Sequence, residues 1–445
     1  MTWRRWLSAD QPNVPETSGF HAAPPRPRWL TVVMFFVVVS VSVSVAHLFR
    51  DTAEIAVEWW SSEPDVVAAA AAVKWLVLFG VVSVSVFVAA CLGRRVETRR
   101  ALQTGIEAVA ASARGEPRRI SFRASGTRAV GTWVASTGLS SIGRESAIIE
   151  IGGAFGTLAG RRSGGRGDAL ATAGIAAAFA AAYFAPLAAI LYLEEHLRVL
   201  HSRRALWFAM SGAVVGHIVS WRVMGGRAVF PAPVGSRWRT LLLSILVLVP
   251  VVVGARLFRV VRVRVRVVKL AERIRVPWWS AVAVFSLAAG AAVATFPFAA
   301  GNGMEALRNA SVGATLTIAV ALSIGKLIGT AASLGAGAPG GALTPSMSIA
   351  SGTGLLCLLA LEHLGVEIHG GVTWGVMVAA MAVGVTVGLR SPLMAIVLVP
   401  ELVGDYTMLP VIAVVVAAAV LVDRGVDRAT KRTARVPDVI YDEDA

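Results

Sequence analysis

Charge is scarce in this chain: Asp, Glu, Lys and Arg make up 16% of its 445 residues, against about a quarter in ordinary soluble domains. Apolar residues make up 56%, and the mean hydropathy is +0.68. A soluble enzyme, a disordered tail and a nucleic-acid-binding domain all fit this composition poorly. Cysteine is nearly absent. Cys91 and Cys357 both lie in apolar stretches and suggest no disulfide framework. A His-Glu-x-x-His zinc motif, a Walker-type loop and a dinucleotide fingerprint are missing as well. The sequence therefore gives no reason to expect a cofactor or a metal site.

What is present is enough apolar sequence for about ten membrane spans of ~20 residues each. The net charge is +15, but the basic residues sit between apolar runs: Arg94, Arg95, Arg99 and Arg100, then Arg114, Arg118, Arg119 and Arg123. Juxtamembrane arginine of this kind marks cytoplasmic loops against anionic lipid rather than a nucleic-acid surface. The expectation is an all-α polytopic membrane protein. It comprises a polar N-terminal segment (1–28), a transmembrane domain (29–425) and a short tail (426–445), with no room for an appended cytoplasmic domain.

The run Trp29–Phe49 is too long, and begins too late, for a cleaved signal, so it reads as a retained span. Trp59 and Trp60 are expected in a short interfacial loop. Val66–Leu92 reads as a second long run. From 101 to 197 the apolar pieces are short and broken by Gly, Ser and Arg, as in membrane helices that end around a site. Longer runs return at Ala205–Val223, Leu241–Leu257 and Trp278–Phe298, and fragmentation recurs from 301 to 422. This long-then-broken pattern, seen twice, suggests two halves of a transporter, although no residue-level repeat is obvious. Arg256, Arg259, Arg262, Arg266 and Lys269 step by three or four, which favours one face of a cytoplasmic helical extension over a strand.

Two segments carry the chemistry. In Ser141-Ile-Gly-Arg-Glu145, Gly143 permits a turn and Arg144-Glu145 open an apolar helix. A helix that starts inside a membrane points free N–H groups and its positive end at an anion. A carboxylate there can occupy the anion's place and leave when protonated. In Gly335-Ala-Gly-Ala-Pro-Gly-Gly-Ala-Leu-Thr-Pro345, Gly340 and Gly341 permit close backbone approach, and Pro345 suits a first helical turn. Together the segments predict two helix N-termini converging on one anion.

These motifs resemble the CLC family of chloride channels and chloride/proton antiporters. Gly143-Arg144-Glu145 is similar to that family's Gly-Arg-Glu-Gly-Pro, with Ser146-Ala147 in place of Gly-Pro. Gly341-Ala-Leu-Thr-Pro345 is similar to Gly-x-Phe-x-Pro, with Leu343 for Phe. Lys326 stands upstream of Gly340-Gly341 as a family lysine does. Phe184-Ala-Pro-Leu…Glu194-Glu195 resembles the helix ending in a Glu pair. Ser391-Pro-Leu…Glu401…Asp405-Tyr406 resembles a later family segment, with Pro400 at a usually bulky apolar place, and Gly301-Asn-Gly303 fits the turn that opens the second half.

The resemblance implies a CLC-type inverted repeat of broken and tilted helices, with Glu145 as gate and Glu195 as internal proton acceptor. It places Thr104, Gly143, Arg144, Glu145, Ala342, Leu343 and Tyr441 around the anion, with Gln103 and Glu107 where Gly and Pro are usual beside Thr104. It implies a homodimer in a bacterial inner or plasma membrane, with chloride and protons as transported species, no cofactor and no nucleic-acid partner. A passive channel and a carrier for another anion, such as fluoride or nitrate, are the alternatives.

Plainer readings stand beside these. Glu194 and Glu195 read equally as solvated charges, and Thr104 as packing. Glu401 reads as a structural partner for helix ends, His217 as a core histidine, and Glu150 as lying off the path. Arg123-Ala-Ser-Gly126 is loosely like an intramembrane protease serine segment. Its first Gly is absent and Ser125 lacks a histidine partner, so a serine hydrolase is a remote alternative.

Overall fold

The computed structural model describes residues 28–97, 105–114, 121–162, 167–223, 228–264, 271 and 275–433. The first half contains α1 (Arg28–Ser61), α2 (Val66–Ala72), α3 (Trp75–Glu97), α4 (Ile106–Ala113), α5 (Phe122–Thr137), α6 (Glu145–Arg162), α7 (Gly167–Tyr183), α8 (Pro186–Leu191) and α9 (Arg203–Val223). The second half contains α10 (Arg237–Leu246), α11 (Leu248–Arg264), α12 (Trp278–Thr295), α13 (Met304–Val312), α14 (Leu316–Val320), α15 (Lys326–Gly335), α16 (Leu343–His363), α17 (Gly370–Leu389), α18 (Pro392–Val403) and α19 (Leu409–Thr433). No strand occurs among the described residues; the one β-bridge joins two loops. Seven helical stretches are long and apolar enough to cross a membrane, and the bent pair α10–α11 makes an eighth. The chain is an integral membrane protein.

Four sequence expectations need correction. Trp59 and Trp60 lie on the last turns of α1, not in a loop, and Trp60 Nε1 donates to the Thr137 carbonyl at 3.1 Å. The run Val66–Leu92 is cut after Ala72, where Val73 turns extended before Trp75; Asp65 caps the other end of α2, accepting from Val67 and Ala68 N–H. The run Leu241–Leu257 bends by 62° at Val247. The first break has no Gly or Pro, so hydropathy alone runs through it; at the second, Pro250 in the first turn of α11 has no N–H to donate to the Leu246 carbonyl. In the second broken region, α16 and α17 are unbroken helices of 21 and 20 residues.

Arginines mark one side of the molecule. Arg94-Arg95 end α3, Arg161-Arg162 end α6, Arg203-Arg204 begin α9, and Arg256, Arg259 and Arg262 lie along the end of α11. By the positive-inside bias this face is cytoplasmic, so the Glu145 end of α6 faces the opposite side. As expected, the α11 arginines are structural: Arg256 and Arg259 both pair with Asp423 of α19, at 2.9 and 3.0 Å. Arg266 and Lys269 lie outside the described residues.

The interior is built on small residues. With no hydrophobic drive between helices in lipid, close backbone packing takes its place. α6 meets α7 through Gly152 and Gly156: a Cβ on Gly152 would lie 2.6 Å from the Gly174 carbonyl oxygen, and one on Gly174 would clash with the Gly152 carbonyl. At the centre α17 is buried almost throughout. Gly174→Ala is therefore expected to lower the stability of the detergent-solubilised protein by about 1–3 kcal/mol, as overpacking does. Gly126→Ala, whose Cβ meets nothing within 4 Å, should be neutral or stabilising. Thermal melts of the two variants check this.

Candidate functional site

The loops that precede α6 and α16 are joined directly. Gly143 N donates to Gly341 O at 3.0 Å, and Gly341 N donates to Gly143 O at 2.6 Å. The glycine at 143 is required by this approach: a Cβ there would lie 2.9 Å from Gly341 O. The Gly341 amide is thus engaged with Gly143 rather than offered to a ligand, which corrects the sequence reading of that residue. Ser141 Oγ bonds Thr330 Oγ1 of α15 at 2.9 Å, and Thr132 Oγ1 of α5 donates to Pro339 O at 2.9 Å. Both loops are thereby fixed to helices of the opposite half.

This junction places the starts of α6 and α16 together, as the two Gly-rich segments predicted. Glu145, the first residue of α6, is buried. Its Oε1 accepts from Asn302 Nδ2 at 2.6 Å and its Oε2 from Thr344 Oγ1 at 3.3 Å. Thr344 Oγ1 also contacts the buried Tyr183 hydroxyl at 3.2 Å. The first helical residues of α16, Leu343 and Thr344, are buried, and no side chain caps that helix. The amides of Ala342 and Leu343 have no acceptor within their own helix turn.

A cavity of ≈ 700 Å³ reaches Glu145, lined among others by His47, Arg50, Arg144, Glu305 and Arg308. Arg144 sits between two carboxylates, 3.4 Å from Glu54 and 3.7 Å from Glu305. Lys326 is fully buried. Its Nζ donates to the carbonyls of Ala299, Ala300 and Gly301 at 3.0, 3.3 and 2.6 Å.

Glu195 belongs to a second arrangement, near the cytoplasmic face. Its oxygens accept from Leu393 and Met394 N–H at 3.1 and 2.8 Å, capping α18. Glu401, on α18, accepts from Leu187 and Ala188 N–H, both at 2.9 Å, and caps α8. Each helix thus carries the cap of the other, so the two run antiparallel. The sequence contains the same relation. Pro186–Glu195 and Pro392–Glu401 share Pro, Leu, Ala, Ile and Glu at equal spacing, a residue-level repeat that the sequence reading missed. The lead-ins match too: Phe184 and Arg390 are left-handed at φ 55° and 60°, followed by Ala185 and Ser391 near φ −120°, ψ 75°.

Glu195 is therefore not simply a solvated charge, whereas Glu194 is exposed. Burial pushes the Glu195 carboxyl above its ordinary value, against the opposing pull of the two amides. Glu401 is the structural partner for helix ends that the sequence suggested.

The structure brings together Gly143, Arg144, Glu145, Ala342 and Leu343; Thr104 and Tyr441 lie outside the described residues. Glu150 pairs with Arg128 at 3.2 Å and accepts from Gly105 N at 3.0 Å, holding the start of α4. His217 is half-buried on α9 beside Trp221 rather than in the core. Asn302, Tyr183 and Thr344 were missed as contacts of the site. Only Asn302 had a signal, its place between two turn glycines.

Removing either reciprocal cap, by Glu195→Ala or Glu401→Ala, should lower stability by about 1–2 kcal/mol. Glu194→Ala should stay within about 0.5 kcal/mol of the parent. Melts in one detergent compare all three.

A family model described as voltage gated chloride channel matches residues 84–424. The H(+)/Cl(−) exchange transporter ClcA of Yersinia pestis bv. Antiqua (strain Angola) is 29% identical over 307 residues, covering 63% of this chain and 61% of that protein. ClcA of Vibrio campbellii (strain ATCC BAA-1116) is 26% identical over 296 residues, covering 63% and 62%. The chain thus spans about three-fifths of the length of these relatives. A slow cyanobacterial Cl−/H+ antiporter superposes with a TM-score of 0.71 at 21% identity, covering 91% of this chain and 98% of that one. A CLC-type fluoride/proton antiporter gives 0.70 at 18% identity, covering 89% and 96%.

Proposed function

Because the chain belongs to the voltage gated chloride channel family, we propose that it exchanges chloride for protons across the plasma membrane of a bacterium, with Glu145 as gate and Glu195 as internal proton acceptor. One observation carries the reading: the Glu145 carboxylate sits where two buried helix starts meet, beside an open cavity, held by neutral donors alone. An anion is the natural occupant of such a place. Ionised, Glu145 fills it. Protonated, it loses the charge that the donors and helix ends hold, and chloride takes its place. The proton then passes inward, and Glu195, partly buried at the cytoplasmic side, exchanges it with that compartment.

The relatives' names support chloride and protons as the transported pair. Gly143, Arg144, Ala342 and Leu343 frame the anion in this reading, completed by Thr104 and Tyr441 on the inner side. The protein needs no cofactor and catalyses no covalent reaction. It acts as a homodimer, in which a second copy covers the apolar face where Leu187 and Leu393 project from α8 and α18, each more than half exposed.

Purified protein in chloride-loaded liposomes tests the proposal, with chloride release and external pH followed together. Coupled, opposed proton movement is expected, with coupling abolished by Glu145→Ala or Glu195→Gln. Chloride flux without proton movement would make the protein a passive channel. No chloride flux, but flux of fluoride or nitrate, would make it a carrier for that anion.

A further inference from the structure

We propose that Asn302 is a latch that holds the Glu145 gate closed, and that Lys326 is the fixed point that aims it. The inference rests on the reading of Glu145 as the gate and concerns what sets its opening.

Asn302 is buried in the turn Gly301-Asn302-Gly303, between α12 and α13. Its side chain has one possible orientation. Oδ1 accepts from Met304 N–H at 3.0 Å, so the other end of the amide, the NH2, must face Glu145 Oε1, 2.6 Å away. An amide NH2 can only donate. The contact is therefore strongest with an ionised carboxylate, as a charge-assisted hydrogen bond, and weakens when Glu145 takes up a proton. Asn302 discriminates between the two protonation states of the gate, and the ionised, closed state is the one it holds.

The turn has no regular secondary structure to hold it. Gly301 and Gly303 both have positive φ, 64° and 99°. The three carbonyls just before Asn302 converge instead on the Lys326 ammonium, which has three donors and uses one on each. A Cβ on Gly303 would meet Lys326 Cε at 3.1 Å and clash with Ser348 Oγ, so the turn lies directly on the lysine stem. Lys326 makes no hydrogen bond or ion pair with Glu145 among the described residues. It acts on the gate through the turn as a positioning residue.

Other titratable or charged groups face this region: His47, Arg50 and Glu54 of α1, Tyr183 of α7, Arg144 beside the gate, and Glu305 and Arg308 of α13. Their contribution to any pH response persists when Glu145 is removed, and that separates them from the latch.

The readout is the ratio of liposome chloride flux at neutral pH to flux at acid pH, in wild type, Asn302→Asp, Lys326→Met, Glu145→Ala and Asn302→Asp/Glu145→Ala. Asn302→Asp keeps the size and the acceptor for Met304 N–H, and sets a carboxylate against the gate in place of a donor. Loss of a charged hydrogen bond predicts a neutral-to-acid ratio about ten-fold above wild type. Lys326→Met should raise the ratio in the same direction. Glu145→Ala should leave only the ratio that those other groups set, and the double variant should match it. A wild-type ratio in monodisperse Asn302→Asp protein, or an Asn302→Asp effect that persists without Glu145, would overturn the latch alone. A Glu145→Ala protein that keeps the wild-type ratio would overturn the gate reading and the latch with it.

Discussion

The two hydrogen bonds between Gly143 and Gly341 are the contact on which the site depends. Within a bilayer, irregular backbone has no water to bond and must be satisfied by protein. These two loops satisfy each other, one from each half of the chain. No side chain fits at 143, so the glycine serves proximity rather than an unusual φ. The pairing fixes where α6 and α16 begin, and so sets Glu145 against Thr344. The hydroxyl bridges Ser141–Thr330 and Thr132–Pro339 then tie each loop to the opposite half. The halves cannot slide apart without opening the site.

Burying charge in such an interior is expensive unless it is partnered, and the kind of partner distinguishes the carboxylates. Glu150 lies on the same helix as Glu145 but is bound to the Arg128 guanidinium and to the Gly105 amide. Both its oxygens are taken, one by a guanidinium and one by the residue before α4, so Glu150 is locked. Glu195 and Glu401 are each held by two backbone amides in a reciprocal arrangement. Glu145 alone among the four is held only by uncharged side-chain donors. Its departure strands no countercharge, which suits a group that moves.

The sequence made the start of α6 legible because a glycine followed by Arg-Glu and an apolar run has a direct physical reading. The meeting of α6 with α16 was likewise readable from two Gly-rich helix starts. The repeat was hidden because five of ten positions differ between Pro186–Glu195 and Pro392–Glu401. Its logic is spatial as well: the conserved glutamates cap each other's helix, a relation that linear spacing does not display. Asn302 was hidden for another reason. Between two glycines an asparagine is an ordinary turn residue, and its second role depends on Met304 N–H fixing its orientation. The break at Val73 left no signal because no Gly or Pro marks it, whereas the 62° bend at Val247 had one in Pro250, hidden within an apolar run.

Among the helix starts of the interior, the pattern of caps sets apart the two that meet at the site. α8 begins on Glu401, α13 on Asn302 and α18 on Glu195, each with a side-chain oxygen accepting from its first amides, and Glu150 accepts from Gly105 N just before α4. α16 begins buried with no such acceptor. A buried helix start without a partner leaves N–H groups and the positive dipole end unsatisfied. Glu145 lies beside it but bonds the Thr344 hydroxyl rather than the α16 backbone. The protein thus meets the starts of α8, α13 and α18 with its own oxygens and leaves the α16 start, beside Glu145, open to an anion. The same physics that forces capping elsewhere makes this start suited to an anion.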